Sequence, residues 1–66
     1  MITITYTTED GFKWGVISFY EAKQRFLNNK EVFKLYQDGS ESLCVESDFE
    51  YPEEDVCYAY EIGFAS

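Results

Sequence analysis

Pro52-Glu53-Glu54-Asp55-Val56-Cys57-Tyr58-Ala59-Tyr60-Glu61-Ile62 reads in two incompatible ways, and the fold turns on which prevails. A proline followed by three acids looks like a helix's first turn, where proline's missing N–H is free and carboxylates meet the positive end of the dipole. Val56, Cys57, Tyr58 and Tyr60 are strand formers. We adopt a short helix over residues 53–61, with a strand as the alternative.

Immediately upstream, residues 46–55 hold six carboxylates and no base, interrupted only by Ser47, Phe49, Tyr51 and Pro52. If Glu46, Asp48 and Glu50 continue a strand, their side chains share one face at about 6.7 Å per step, an ordered row of negative charge. Residues 32–36 and 42–46 flank Gln37-Asp38-Gly39, a hairpin signal. A two-residue loop would set Phe33 opposite Cys44 and mix the faces. A three-residue loop with Gly39 in the left-handed position gathers Phe33, Leu35, Leu43 and Val45 instead, leaving Lys34, Tyr36, Ser42, Cys44 and Glu46 on the outer face.

Further out, Ile2, Ile4 and Tyr6 alternate with Thr3, Thr5 and Thr7, the period of a half-buried strand. Glu9-Asp10-Gly11 supplies a turn, and Phe12, Trp14 and Val16 alternate on the return strand, where Gly15 marks a bulge or a close backbone approach. Ser18 and Glu21 form a capping box opening a helix, on which Phe19, Ala22, Phe26 and Leu27 share an apolar face and Glu21 pairs with Arg25. Asn28 and Asn29 end it. A helix of about ten residues is too short to persist alone, so it must pack on the sheet.

The chain is therefore read as one α+β domain over residues 1–66: a ββαββ antiparallel sheet with one packed helix and a short C-terminal helix (or strand). A domain of this size buries only about 60% of its unfolded surface. Thirteen aromatic rings, six Tyr, six Phe and one Trp, still favour folding over disorder. They exceed what so small a core covers, and Tyr36, Phe49, Tyr51 and Tyr58 are the expected surface surplus.

Charge is divided along the chain. Residues 1–34 hold all five basic side chains against four acids, a balance of +1, and residues 35–66 hold nine acids and no base, giving the net −8. Such a field repels nucleic acid and anionic membrane and steers basic surfaces inward over about 10 Å at 0.1 M salt. Neither nucleic acid nor membrane is expected as a direct partner.

Catalytic chemistry is not assembled. There is no histidine, no phosphate-cradling glycine loop and no nucleophile beside its base, so no enzyme activity and no cofactor is expected. Cys44 and Cys57 fit no zinc spacing and read as two structural thiols, with one bridge as the alternative. The acidic run lacks the ligand order of a calcium loop, and no metal is expected. No apolar run approaches a membrane span and the first residues are not those of a signal peptide, so a cytoplasmic location is expected, in a host cell's cytosol if phage-encoded.

The run Asp38-Gly39-Ser40-Glu41, continuing to Glu46-Ser47-Asp48-Phe49-Glu50, resembles the acidic hairpin of small phage-borne inhibitors of the anti-CRISPR and antirestriction DNA-mimic type. Elsewhere the two differ, since this chain begins with a hairpin where that anti-CRISPR inhibitor begins with a helix. The resemblance implies that Asp38, Glu41, Glu46, Asp48 and Glu50 face basic residues of a nuclease, such as an RNA-guided one, in its DNA-binding site.

The residues expected to bind a partner are Tyr36, Asp38, Glu41, Glu46, Asp48, Glu50, Tyr51, Glu53, Glu54 and Asp55. The expected function is an acidic inhibitor that occupies the basic nucleic-acid groove of a DNA-handling enzyme. The alternative is a non-enzymatic interaction module, an adaptor or regulatory subunit, docking through surface tyrosines.

Overall fold

The structure, a computed structural model, describes residues 4–64. Ile2 and Thr3 of the expected first strand lie outside them. The elements are β1 (Ile4–Thr7), β2 (Phe12–Ile17), α1 (Phe19–Leu27), β3 (Phe33–Tyr36), β4 (Glu41–Leu43), a 3-10 turn (Glu46–Phe49) and β5 (Val56–Phe64). They build an antiparallel sheet in the order β1-β2-β5-β3-β4, with α1 on one face. The fold is α+β, as the sequence pattern requires.

The decisive segment is a strand. The expected helix over residues 53–61 does not form; β5 instead runs for nine residues through the centre of the sheet, between β2 and β3. The physical reason is the pairing it supplies. α1 carries the chain from β2 to β3 and leaves a strand-wide slot between them, and β5 fills it, satisfying backbone groups on both neighbours. Pro52 and the acids after it form the loop that leads in.

Both hairpins turn as their residues dictate. Gly11 and Gly39 each adopt φ of 91°, which a side chain resists, and the Thr8 and Tyr36 carbonyls accept from their N–H groups. The β3–β4 register sets Phe33 opposite Leu43 and Lys34 opposite Ser42, the one that a left-handed Gly39 predicts. At the start of α1 the Glu21 N–H donates to Ser18 Oγ at 3.1 Å. At its end the Asn28 side chain donates to the Gln24 carbonyl, and Asn29 turns left-handed at φ 63°.

The faces are reversed from expectation. Lys34 and Cys44, expected outside, are buried on the side of the sheet that α1 covers, whereas Leu43 and Val45, expected inside, are exposed. Ile17, which leads into α1, sits opposite Tyr58, and Tyr58 sits opposite Lys34, so the helix falls on the Lys34 side. Its core joins Ala22, Val32, Cys44, Phe49 and Tyr58, with Ile17, Phe19, Phe26 and Val56 against them. Phe49 and Tyr58, expected as surface surplus, are thus core rings: Phe49 packs 4.9 Å from Phe26, and Phe19 meets Tyr58 edge-on at 5.3 Å. Leu27, expected on the apolar face, is exposed, because it follows Phe26 around the helix and leaves the sheet.

Gly15 makes the close approach its position suggested. A Cβ there would overlap the outer end of the Tyr60 ring. Arg25 stacks over that ring, its Cζ 4.0 Å from the centroid, in place of the expected pairing with Glu21. The sheet's irregularity falls between Lys13 and Trp14, where Gly63 and Glu61 are their partners and Ile62 is the extra residue on β5.

Candidate protein-binding surface

A single helix covers a single face, and this sheet has two apolar faces. On the side away from α1, β1 presents Ile4 and Tyr6, β2 presents Phe12, Trp14 and Val16, and β3 presents Phe33 and Leu35, in lateral register. β5 contributes Cys57 and Ala59 between them. Ile4 is 66% exposed, Tyr6 50% and Phe64 67%, Leu43 opposite Phe33 is also exposed, and Phe12, Val16, Phe33 and Leu35 are half-buried. Trp14 is covered by its neighbours: Phe12 and Phe33 stand 5.1 and 5.3 Å from it, and Phe64 meets Phe12 edge-on.

Two open troughs lie on this face. One trough of about 610 Å³ has Ile4, Tyr6, Trp14, Val16, Leu35 and Cys57 on its floor. Glu41, Glu54 and Asp55 stand among its walls. A second, of about 790 Å³, shares Tyr6, Trp14 and Glu41 with the first and adds Glu9, Asp10, Asp38 and Glu61. Among the described residues seven carboxylates therefore border an apolar floor, and no lysine or arginine lines either trough.

The ten residues expected to bind a partner divide. Asp38, Glu41, Glu54 and Asp55 come together at this open face, and Tyr36 borders it. Asp38 is held by its turn, accepting from the Ser40 hydroxyl at 2.6 Å and the Ser40 N–H at 3.0 Å, which keeps its carboxyl below the ordinary carboxylate range. Tyr51 is 80% exposed in the loop after the 3-10 turn. Glu46, Asp48 and Glu50 do not continue a strand. The chain coils at Glu46–Phe49 to drive Phe49 under α1, which breaks the expected row of alternating acids.

Asp48 and Glu53 serve the fold instead. The Lys34 ammonium, buried on the helix side, donates to Asp48 at 2.7 Å and to Glu53 at 3.3 Å. The second Asp48 oxygen accepts from the Val45 N–H at 2.7 Å, and the Glu53 N–H donates to the Tyr58 hydroxyl at 3.0 Å. The Lys34 hydrogen bond, then that of Val45, holds the Asp48 carboxyl below its ordinary range; the same contact raises Lys34 above its own. A lysine can lie in this core because two carboxylates reach it.

The thiols lie on opposite faces. Cys44 is buried in the helix-side core, where desolvation pushes its thiol up to about 11. Cys57 is free and exposed on the trough floor. Among the described residues no three His, Cys, Asp or Glu side chains gather as a metal site, and no helix is long and apolar enough to cross a membrane.

Sequence reasoning missed the floor of this surface: Ile4, Tyr6, Trp14, Val16 and Leu35, with Glu9, Asp10 and Glu61 at its edge. A signal was present. Three strands each carry an apolar alternating row, more than one helix roughly 14 Å long can cover. A scan against protein-family models and searches of curated proteins and solved structures return no match.

Proposed function

We propose that this is a non-enzymatic acidic protein that binds the basic surface of a nucleic-acid-handling protein and so excludes nucleic acid from it. The observation that carries this reading is the segregation of charge. Acids Asp38, Glu41, Glu54 and Asp55 border one open face with no base among them, whereas Lys34 is buried and Arg25 stacks on Tyr60 on the helix side. A partner approaching that face meets a field of one sign, which raises the association rate and orients the complex.

The mode of mimicry differs from a regular strand of acids. Asp48 is committed to Lys34, so the charges available to a partner are those of the β3–β4 turn and of the loop entering β5, together with Glu46 and Glu50 on the exposed side of the 3-10 turn. These would stand where phosphates stand in the target's groove. The second reading, an adaptor or regulatory module held by tyrosines, is favoured by the exposure of Tyr51.

The test is a neutralised variant, Asp38→Asn with Glu41→Gln, Glu54→Gln and Asp55→Asn. All four are exposed, so the fold should persist. Loss of partner binding at low salt supports the proposal; retention of binding, with loss instead in Tyr51→Ala, supports the adaptor.

A further inference from the structure

We infer that the open sheet face is a docking site for an amphipathic basic segment of a partner protein, whose apolar side chains lie on the Trp14 floor while its lysines or arginines meet the surrounding carboxylates. This rests on the reading of a basic partner and names the contact it makes. The face leaves Ile4, Tyr6 and Phe64 exposed around Trp14 with polar residues at its rim, the arrangement of an interaction site.

Charge complementarity decides the occupant. A second copy placed face to face would bring its own Glu41, Glu54 and Asp55 against the same residues, in a chain of net charge −8. Nucleic acid and anionic lipid are repelled by the same carboxylates. A purely polar basic strand would satisfy the acids and leave the floor unused. Only a segment carrying both apolar and cationic side chains matches floor and border together, with aromatic contact supplying affinity and charge supplying orientation.

The site contains its own reporters. Trp14 is the only tryptophan in the chain, and the Cys57 thiol lies on the same floor. The experiment titrates the full chain with a Lys/Leu amphipathic peptide and with a Lys/Ser peptide of equal length and charge, following Trp14 emission and the protection of Cys57 from maleimide. The expected result is saturable binding and Cys57 protection with Lys/Leu, and binding at least about tenfold weaker with Lys/Ser. Ile4→Lys, at a 66% exposed position, should weaken the Lys/Leu complex about tenfold without unfolding the chain. Tyr6→Ser, at 50% exposure, provides a second variant on the same floor.

Equal affinity for the two peptides would overturn the inference, since charge alone would then suffice. So would a dimer in sedimentation that shields Cys57 in the absence of peptide, because the occupant would be a second copy. Failure here is distinct from failure of the proposed function. If DNA does not displace a captured partner but the peptide contrast holds, exclusion of nucleic acid falls and the docking site stands; if Ile4→Lys keeps a DNA-displaceable partner at full affinity, the reverse is true.

Discussion

The Lys34 ammonium lies 2.7 Å from the Asp48 carboxylate, with the side chains 8% and 17% exposed, and this contact ties the 3-10 turn to strand β3. It links a strand to a segment fourteen residues away on the face where the core forms. Without it, a lysine at position 34 would belong outside.

Removing the Asp48 charge should therefore unfold more than a surface change would. Asp48→Asn leaves a buried ammonium with Glu53 as its remaining carboxylate partner, at 3.3 Å, and should cost about 3 kcal/mol. Lys34→Met combined with Asp48→Asn should recover most of that loss, because an apolar side chain suits the surrounding core. Urea denaturation of the two variants and the wild type checks both statements.

The same pair sets a pH dependence. Asp48 has a depressed folded pKa, so its contribution is complete above the unfolded value of 3.8 and is lost as pH falls through the folded one. Lys34 has a raised folded pKa, so its contribution is complete below 10.5 and is lost only as pH rises through the still higher folded value. Stability from the pair should hold between these limits and fall in acid. Thermal melts from neutral pH downward should show that fall in wild type and a flatter acid limb in Asp48→Asn.

How much of this was legible in the sequence follows from the physics of each element. The two hairpin turns and the start of α1 depend on local chemistry at Gly11, Gly39 and Ser18, and they form where that chemistry stands. The fate of residues 56–64 depends on a slot between β2 and β3 that exists only in the assembled sheet, so a proline and three acids misled. The choice of face was hidden because Phe33 and Leu35 look like core and Lys34 does not. That lysine is inside because carboxylates fourteen and nineteen residues later meet it. The acids at the open face were readable as a charged second half; their apolar floor required knowing which side the helix leaves bare.

A side chain at Gly15 should be tolerated only if the Tyr60 ring moves aside. An added Cβ meets the Tyr60 ring, including its hydroxyl oxygen at 2.7 Å, so the ring, which stacks with Arg25, must shift. Gly15→Ala should cost about 1–3 kcal/mol. Adding Tyr60→Val should restore most of it, measured by the same denaturation curves.

The two cysteines should separate cleanly in reactivity. Cys57 is exposed and Cys44 is both buried and pushed up to about 11, so little thiolate forms there at neutral pH. Maleimide labelling of the native protein should modify one thiol quickly, identified as Cys57 by peptide mapping, with Cys44 reacting only on denaturation.

The central claim is that the acidic open face takes a basic protein surface away from nucleic acid. The most direct measurement captures partners from lysate on the immobilised chain at low and high salt, with and without competitor DNA. A nucleic-acid-binding protein held at low salt, released by added salt and displaced by DNA is the predicted result. A partner retained at high salt and indifferent to DNA would contradict the claim.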